Sequence, residues 1–112
     1  MVRINVSAIT SSILALGLNG FDGDCGLAAI EINEKIFNGT ARYVAALNET
    51  CLAQGRFVGH VACFWRGYFW DAKGVISRSE LEEYGALNPA DGVVMFEFDS
   101  ADEIRQVHES QR

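Results

Sequence analysis

The sequence predicts an α+β fold in which N-terminal helices pack on a small antiparallel β-sheet. Three observations lead there. Helical spacing of apolar residues dominates the first half, and an aromatic-rich run at 57–72 is broken only by Arg66-Gly67. The elements do not alternate in the strand–helix–strand order of a parallel sheet. The 112 residues are 49% hydrophobic and 21% charged with one proline, outside the polar, highly charged range that remains disordered. A chain of this length buries about two thirds of its unfolded surface, so a single compact domain over residues 1–112 is expected.

Residues 3–6 alternate polar and apolar and predict a short edge strand, followed by a brief helical or irregular run at 11–18. Asn19, Gly20, Phe21, Asp22, Gly23 and Asp24 form a loop dense in turn residues. Residues 25–37 carry Leu27, Ala28, Ile30, Ile32 and Ile36 at helical spacing. Asn38-Gly39 supplies the stop signal, which places Asp24 and Cys25 at the helix start. A second helix is read over 40–55 from Tyr43, Val44, Leu47, Cys51 and Leu52. Residues 57–65 and 68–72 predict a β-hairpin around Arg66-Gly67. Ser77-Arg78-Ser79-Glu80 is a capping box opening a helix to about Tyr84, residues 88–92 are a turn and 93–98 a strand. Ser100-Ala101-Asp102-Glu103 starts a polar last helix through His108, whose imidazole is expected in solvent.

Nine basic against fifteen acidic residues give a net charge of −6, with the Lys and Arg scattered singly. Such a field repels a phosphate backbone and anionic lipid, so nucleic acid and membrane surface are set aside as partners. Three cysteines without a C-x-x-C spacing argue for reduced thiols and a cytoplasmic setting. The one apolar stretch near the N-terminus, at 13–18, is short for a signal sequence and reads as part of the fold.

Thiol hydrolysis requires a cysteine nucleophile, a histidine to move its proton and a third group to orient the imidazole. Cys25, His60 and Asp71 occur in that order. A helix start favours a thiolate through its unpaired N–H groups and dipole, whereas Asp22 and Asp24 oppose one, so a protonated His60 has to offset them. If Arg66-Gly67 is a two-residue turn, Trp65 pairs with Tyr68 and Phe64 with Phe69. Ala62 then falls opposite Asp71 and His60 opposite Lys73. Asp71 lies on the face of His60, one pair along, at a diagonal of about 7 to 8 Å. A three-residue turn instead places Asp71 opposite Val61, on the other face.

The same residues admit plainer readings. A cysteine at a helix start and a histidine in a strand are both common in cores. Two buried polar groups on an apolar hairpin need each other whether or not the protein has activity. Asn19 offers an amide to an oxyanion but is equally a turn residue before Gly20. Cys51 and Cys63 read as core. Zinc is a competing use of Cys25, His60 and Asp71, but no paired ligands stand at short spacing; no metal or other cofactor is expected. The hydrolase reading requires the Cys25 sulfur within hydrogen-bond reach of one His60 nitrogen with the other on Asp71. A His60 directed away across the sheet would remove it.

Asp22-Gly23-Asp24-Cys25-Gly26-Leu27-Ala28-Ala29-Ile30, then Gly59-His60-Val61 and Gly67-Tyr68-Phe69-Trp70-Asp71, resemble the core of the papain-like cysteine peptidase superfamily. The D-G-x-C opening resembles ovarian-tumour-type deubiquitinases and viral papain-like proteases. D-C-G-x-A-A is similar to bacteriocin-leader peptidases, and the G-H-V strand is similar to NlpC-type cell-wall amidases. The resemblance covers about residues 19–74. It implies a papain-like core with Cys25 as nucleophile, His60 as general base and acid and Asp71 as orienter. It also implies an acyl-thioester formed from an amide or isopeptide bond of a protein or peptide substrate. Asn19 stands where papain relatives carry an oxyanion-hole Gln; in the ovarian-tumour pattern the surroundings of Asp22 take that part. The interval from Cys25 to His60 is shorter than in most members, which leaves a catalytically lapsed binding module acting on a protein partner as the alternative.

Overall fold

The computed structural model describes residues 4–19, 24–88 and 90–110, which form five helices and five strands. The first is α1 (Val6–Ala15), whose cap is Asn5 accepting from the Ala8 N–H at 3.0 Å. The short alternation at 3–6 therefore gives way to a helix from Val6 onward, and Arg3 lies outside the described residues. Four residues of alternation without a paired strand carry less weight than a capped, apolar turn.

Helix α2 (Cys25–Ile36) closes as its stop signal requires. Asn38 and Gly39 take φ of 53° and 76°, and the Gly39 N–H returns to the Asn33 carbonyl at 2.8 Å.

The second helix read from the sequence is corrected. Residues 42–48 are β1 (Arg42–Asn48), and only α3 (Glu49–Ala53) is helical. β1 lies between β2 (Gly59–Trp65) and β5 (Val93–Phe98), antiparallel to both. Helices cover both of its faces, so Ala45 and Ala46 are equally buried and the two-residue period disappears from the sequence. Asn48 ends the strand and caps α3, its side chain accepting from the Cys51 N–H at 2.9 Å. Cys51 is consequently half-buried rather than in the core.

The hairpin agrees with expectation. β2 pairs with β3 (Tyr68–Asp71) through Trp65 with Tyr68, Phe64 with Phe69 and Cys63 with Trp70. Arg66 and Gly67, at φ of 54° and 84°, make the tight turn with positive φ at both central residues that antiparallel strands favour. A short β4 (Gly74–Ile76), absent from the sequence reading, pairs with β3 and gives the sheet order β4-β3-β2-β1-β5.

One face of the sheet, with Tyr43, Ala45, Leu47, Val61, Cys63 and Trp70, packs on α1, α2 and α5 (Ala101–Ser110). The other, with Ala46, Ala62 and Ile76, packs on Leu81 of α4 (Arg78–Ala86), which the Ser77/Glu80 capping box opens. Gly85 brings α4 onto β1, since a Cβ there would stand 2.3 Å from the Ala46 carbonyl. On α5 the Ser100 hydroxyl accepts from the Glu103 N–H at 3.2 Å, and His108 is half-buried rather than fully solvated. Among the described residues no helix is long and apolar enough to cross a membrane.

Candidate active site

Cys25, His60 and Asp71 come together at the start of β2, but from opposite sides of the sheet. His60 pairs with Ala46 and follows the pleat to the α4 face, where its ring meets Tyr84 edge-to-face at 5.2 Å. Asp71 shares that face. Cys25 opens α2, on the other side, and its thiol donates to the Gly59 carbonyl at 3.8 Å, one residue before His60. A His60 directed to the face away from Cys25 counts against the hydrolase reading, and the hydrogen bond that the thiol donates is to the Gly59 carbonyl; Cys25 nonetheless stands near enough to raise the imidazole pKa. The β2–β3 ladder extends only as far as Cys63 and Trp70, which leaves the flank of β2 at His60 open to both groups.

His60 and Asp71 are both buried. His60 Nε2 lies 2.8 Å from Asp71 Oδ2, and Asp71 Oδ1 accepts the Lys73 N–H, also at 2.8 Å. Both carboxylate oxygens are thus satisfied, as a buried charge requires. Burial pushes the imidazole pKa down, but the hydrogen bonds to Asp71 and to Cys25, with the charges of both, override it and raise the pKa to about 9. His60 therefore carries a proton at neutral pH, as the offset of nearby carboxylates demands.

The other thiols differ. Cys63 is fully buried and donates to the Ala29 carbonyl at 3.1 Å, and burial pushes its pKa up to about 12 against a hydrogen bond with Asn33. Half-buried Cys51 receives the Arg56 guanidinium at 3.5 Å.

Two glycines allow the elements around the site to pack closely. A Cβ on Gly59 would stand 2.0 Å from the Ala46 carbonyl oxygen, so β2 lies this close to β1 only at a residue without a side chain. A Cβ on Gly26 would stand 2.8 Å from Ile104 Cγ2, where α5 crosses beside Cys25.

Asp24, at the helix cap, makes no side-chain cap bond. Its carboxylate accepts instead from the exposed Asn19 amide at 3.4 Å. Asn19 thus stands next to the residue preceding the thiol, with its amide turned to Asp24. Asp22 lies outside the described residues. Among the described residues no cluster of three His, Cys, Asp or Glu could hold a metal. An open depression of about 410 Å³, lined by Thr40, Arg42, Phe64, Trp65 and Arg66, lies at the far end of β2 and includes none of the three groups.

Sequence reasoning missed Tyr84 and Lys73. Lys73 fell opposite His60 in the hairpin register, a usable signal; Tyr84 belongs to a different element and left none. No protein-family model, curated protein or solved structure matches this chain.

Proposed function

We propose that this chain is a papain-like cysteine hydrolase cleaving an amide or isopeptide bond of a protein or peptide substrate. The observation that carries the reading is a single imidazole, His60, bonded through Nε2 to a buried carboxylate, with a thiol at a helix start near enough to raise its pKa. That is the arrangement nucleophilic catalysis needs: nucleophile, proton carrier and a group fixing the ring.

Cys25 Sγ, its proton passed to His60, attacks the substrate carbonyl carbon. The oxyanion that forms is held by N–H groups of the first turn of α2, where the dipole is positive; donors of this kind are worth about 10²–10³ in rate each. His60 returns the proton to the leaving amine as the C–N bond breaks, giving an acyl-thioester. A water molecule then gives its proton to His60 and attacks the thioester. The acid departs, and the proton restores the Cys25 thiol. Asp71 keeps Nε2 engaged throughout, so the ring exchanges protons at its other nitrogen.

The test is labelling by electrophilic probes built on different peptide and ubiquitin-like scaffolds, using wild type and Cys25→Ala. Labelling of wild type alone supports hydrolysis and the preferred scaffold names the substrate class. No labelling by any scaffold, with the fold intact, favours a papain-like binding module acting through a protein partner.

A further inference from the structure

The groups around the buried pair extend past the three residues of the triad. Tyr84, half-buried on α4, sets its ring edge against His60 at 5.2 Å. Lys73 Nζ stands 5.0 Å over the same ring and 3.5 Å from the Tyr84 hydroxyl, which in turn donates to Glu80 Oε2 at 3.4 Å. The Lys73 N–H meanwhile holds Asp71 Oδ1. One two-residue turn after β3 therefore fixes both the carboxylate and the aromatic ring beside the imidazole.

We propose that Tyr84 is a positioning residue, held by Lys73, that roofs the His60–Asp71 pair on the α4 side and holds the imidazole in place beside Cys25. The pleat sends His60 away from α2 to the α4 face, and there the Tyr84 ring stands edge-on to it at 5.2 Å. The same ring keeps water from the buried hydrogen bond, which is stronger where the local dielectric is low. Among the described residues, the charged and titratable groups facing His60 include Cys25 from α2, Asp71 from β3 and Tyr84 from α4, with Lys73 and Glu80 behind Tyr84. An edge-on aromatic needs no hydroxyl for this part, so the ring rather than the phenol carries it.

This inference rests on the hydrolase reading for its purpose but not for its test. The chain has two histidines, so imidazole NMR resolves His60 against His108 as an internal standard. Tyr84→Phe is expected to titrate at His60 as wild type does. Tyr84→Leu, which keeps apolar bulk and guards against a folding failure, and Tyr84→Ala are expected to let water reach the pair, read as loss of the downfield His60 Nε2–H resonance of the Asp71 hydrogen bond through solvent exchange. Both are expected to slow Cys25 alkylation near neutral pH severalfold. An unchanged Nε2–H resonance and unchanged alkylation in both the Leu and Ala variants, folded by circular dichroism, would overturn it. A wild-type Cys25 no more reactive than Cys51 would sink the hydrolase reading while leaving the Nε2–H resonance to decide the role of Tyr84.

Discussion

His60 Nε2 and Asp71 Oδ2 stand 2.8 Å apart on adjacent strands, both buried, with the carboxylate's second oxygen held by the Lys73 N–H. Neither residue could be buried there alone, because desolvating an unpaired charge costs several kcal/mol. Stability and the proposed chemistry thus depend on one hydrogen bond.

Removing one partner leaves the other stranded. Asp71→Ala is expected to destabilise the fold by about 3–5 kcal/mol. Asp71→Asn should cost less, because an amide oxygen still accepts from Lys73. Urea denaturation of both, together with His60→Gln and the double variant, measures the coupling. Additive losses would mean that the two side chains do not act as a pair.

The raised imidazole pKa sets a pH window. His60 titrates at about 9 in the fold, above its ordinary 6.5, so protonation favours the folded state. That contribution is complete below about pH 6.5 and is lost as pH rises through about 9. The gap is equivalent to on the order of 3 kcal/mol. Urea midpoints should fall across this window in wild type and stay flatter in His60→Gln; parallel profiles would refute the assignment.

The three thiols should react in a fixed order. Near neutral pH iodoacetamide is expected to modify Cys25 first and Cys63 only on unfolding, since burial holds that thiol protonated up to about pH 12. His60→Ala should remove the lead of Cys25 over Cys51. Peptide mapping by mass spectrometry reads the order, and equal rates for Cys25 and Cys51 in wild type would count against an activated thiol.

Register depends on the turn at Arg66 and Gly67. One glycine inserted between them shifts Asp71 by one pair and moves it to the face opposite His60. The insertion should cost about as much stability as Asp71→Ala and abolish preferential Cys25 labelling. Gly67→Ala, forced to φ of 84°, should cost only about 1 kcal/mol while leaving the labelling order intact. If the insertion preserved the His60 titration, the hairpin register would not be what joins the pair.

Much of the site was legible because its determinants are local. Gly39 in the left-handed region after α2, the Ser77/Glu80 box and the positive φ at Arg66 and Gly67 each follow from neighbouring residues. From that turn, counting outward along two strands put Asp71 on the face of His60. Tyr84 was not legible, since α4 meets the ring only after the sheet is assembled.

The sequence by itself determined an α+β chain, the helix that starts at Cys25, the hairpin and its register, because capping and turn chemistry act over a few residues. The tertiary structure decided that residues 42–48 are a strand. Neighbours on both edges and helices on both faces make that strand apolar throughout, which leaves no period to read. It also decided that Cys25 and His60, 35 positions apart, lie near each other from opposite sides of the sheet, the thiol bonded to the carbonyl of Gly59 just before His60. Alternation along a strand tells which way a side chain leaves the backbone. Only the packed structure shows where the β2–β3 ladder stops and which strand carbonyl the thiol reaches beside the imidazole.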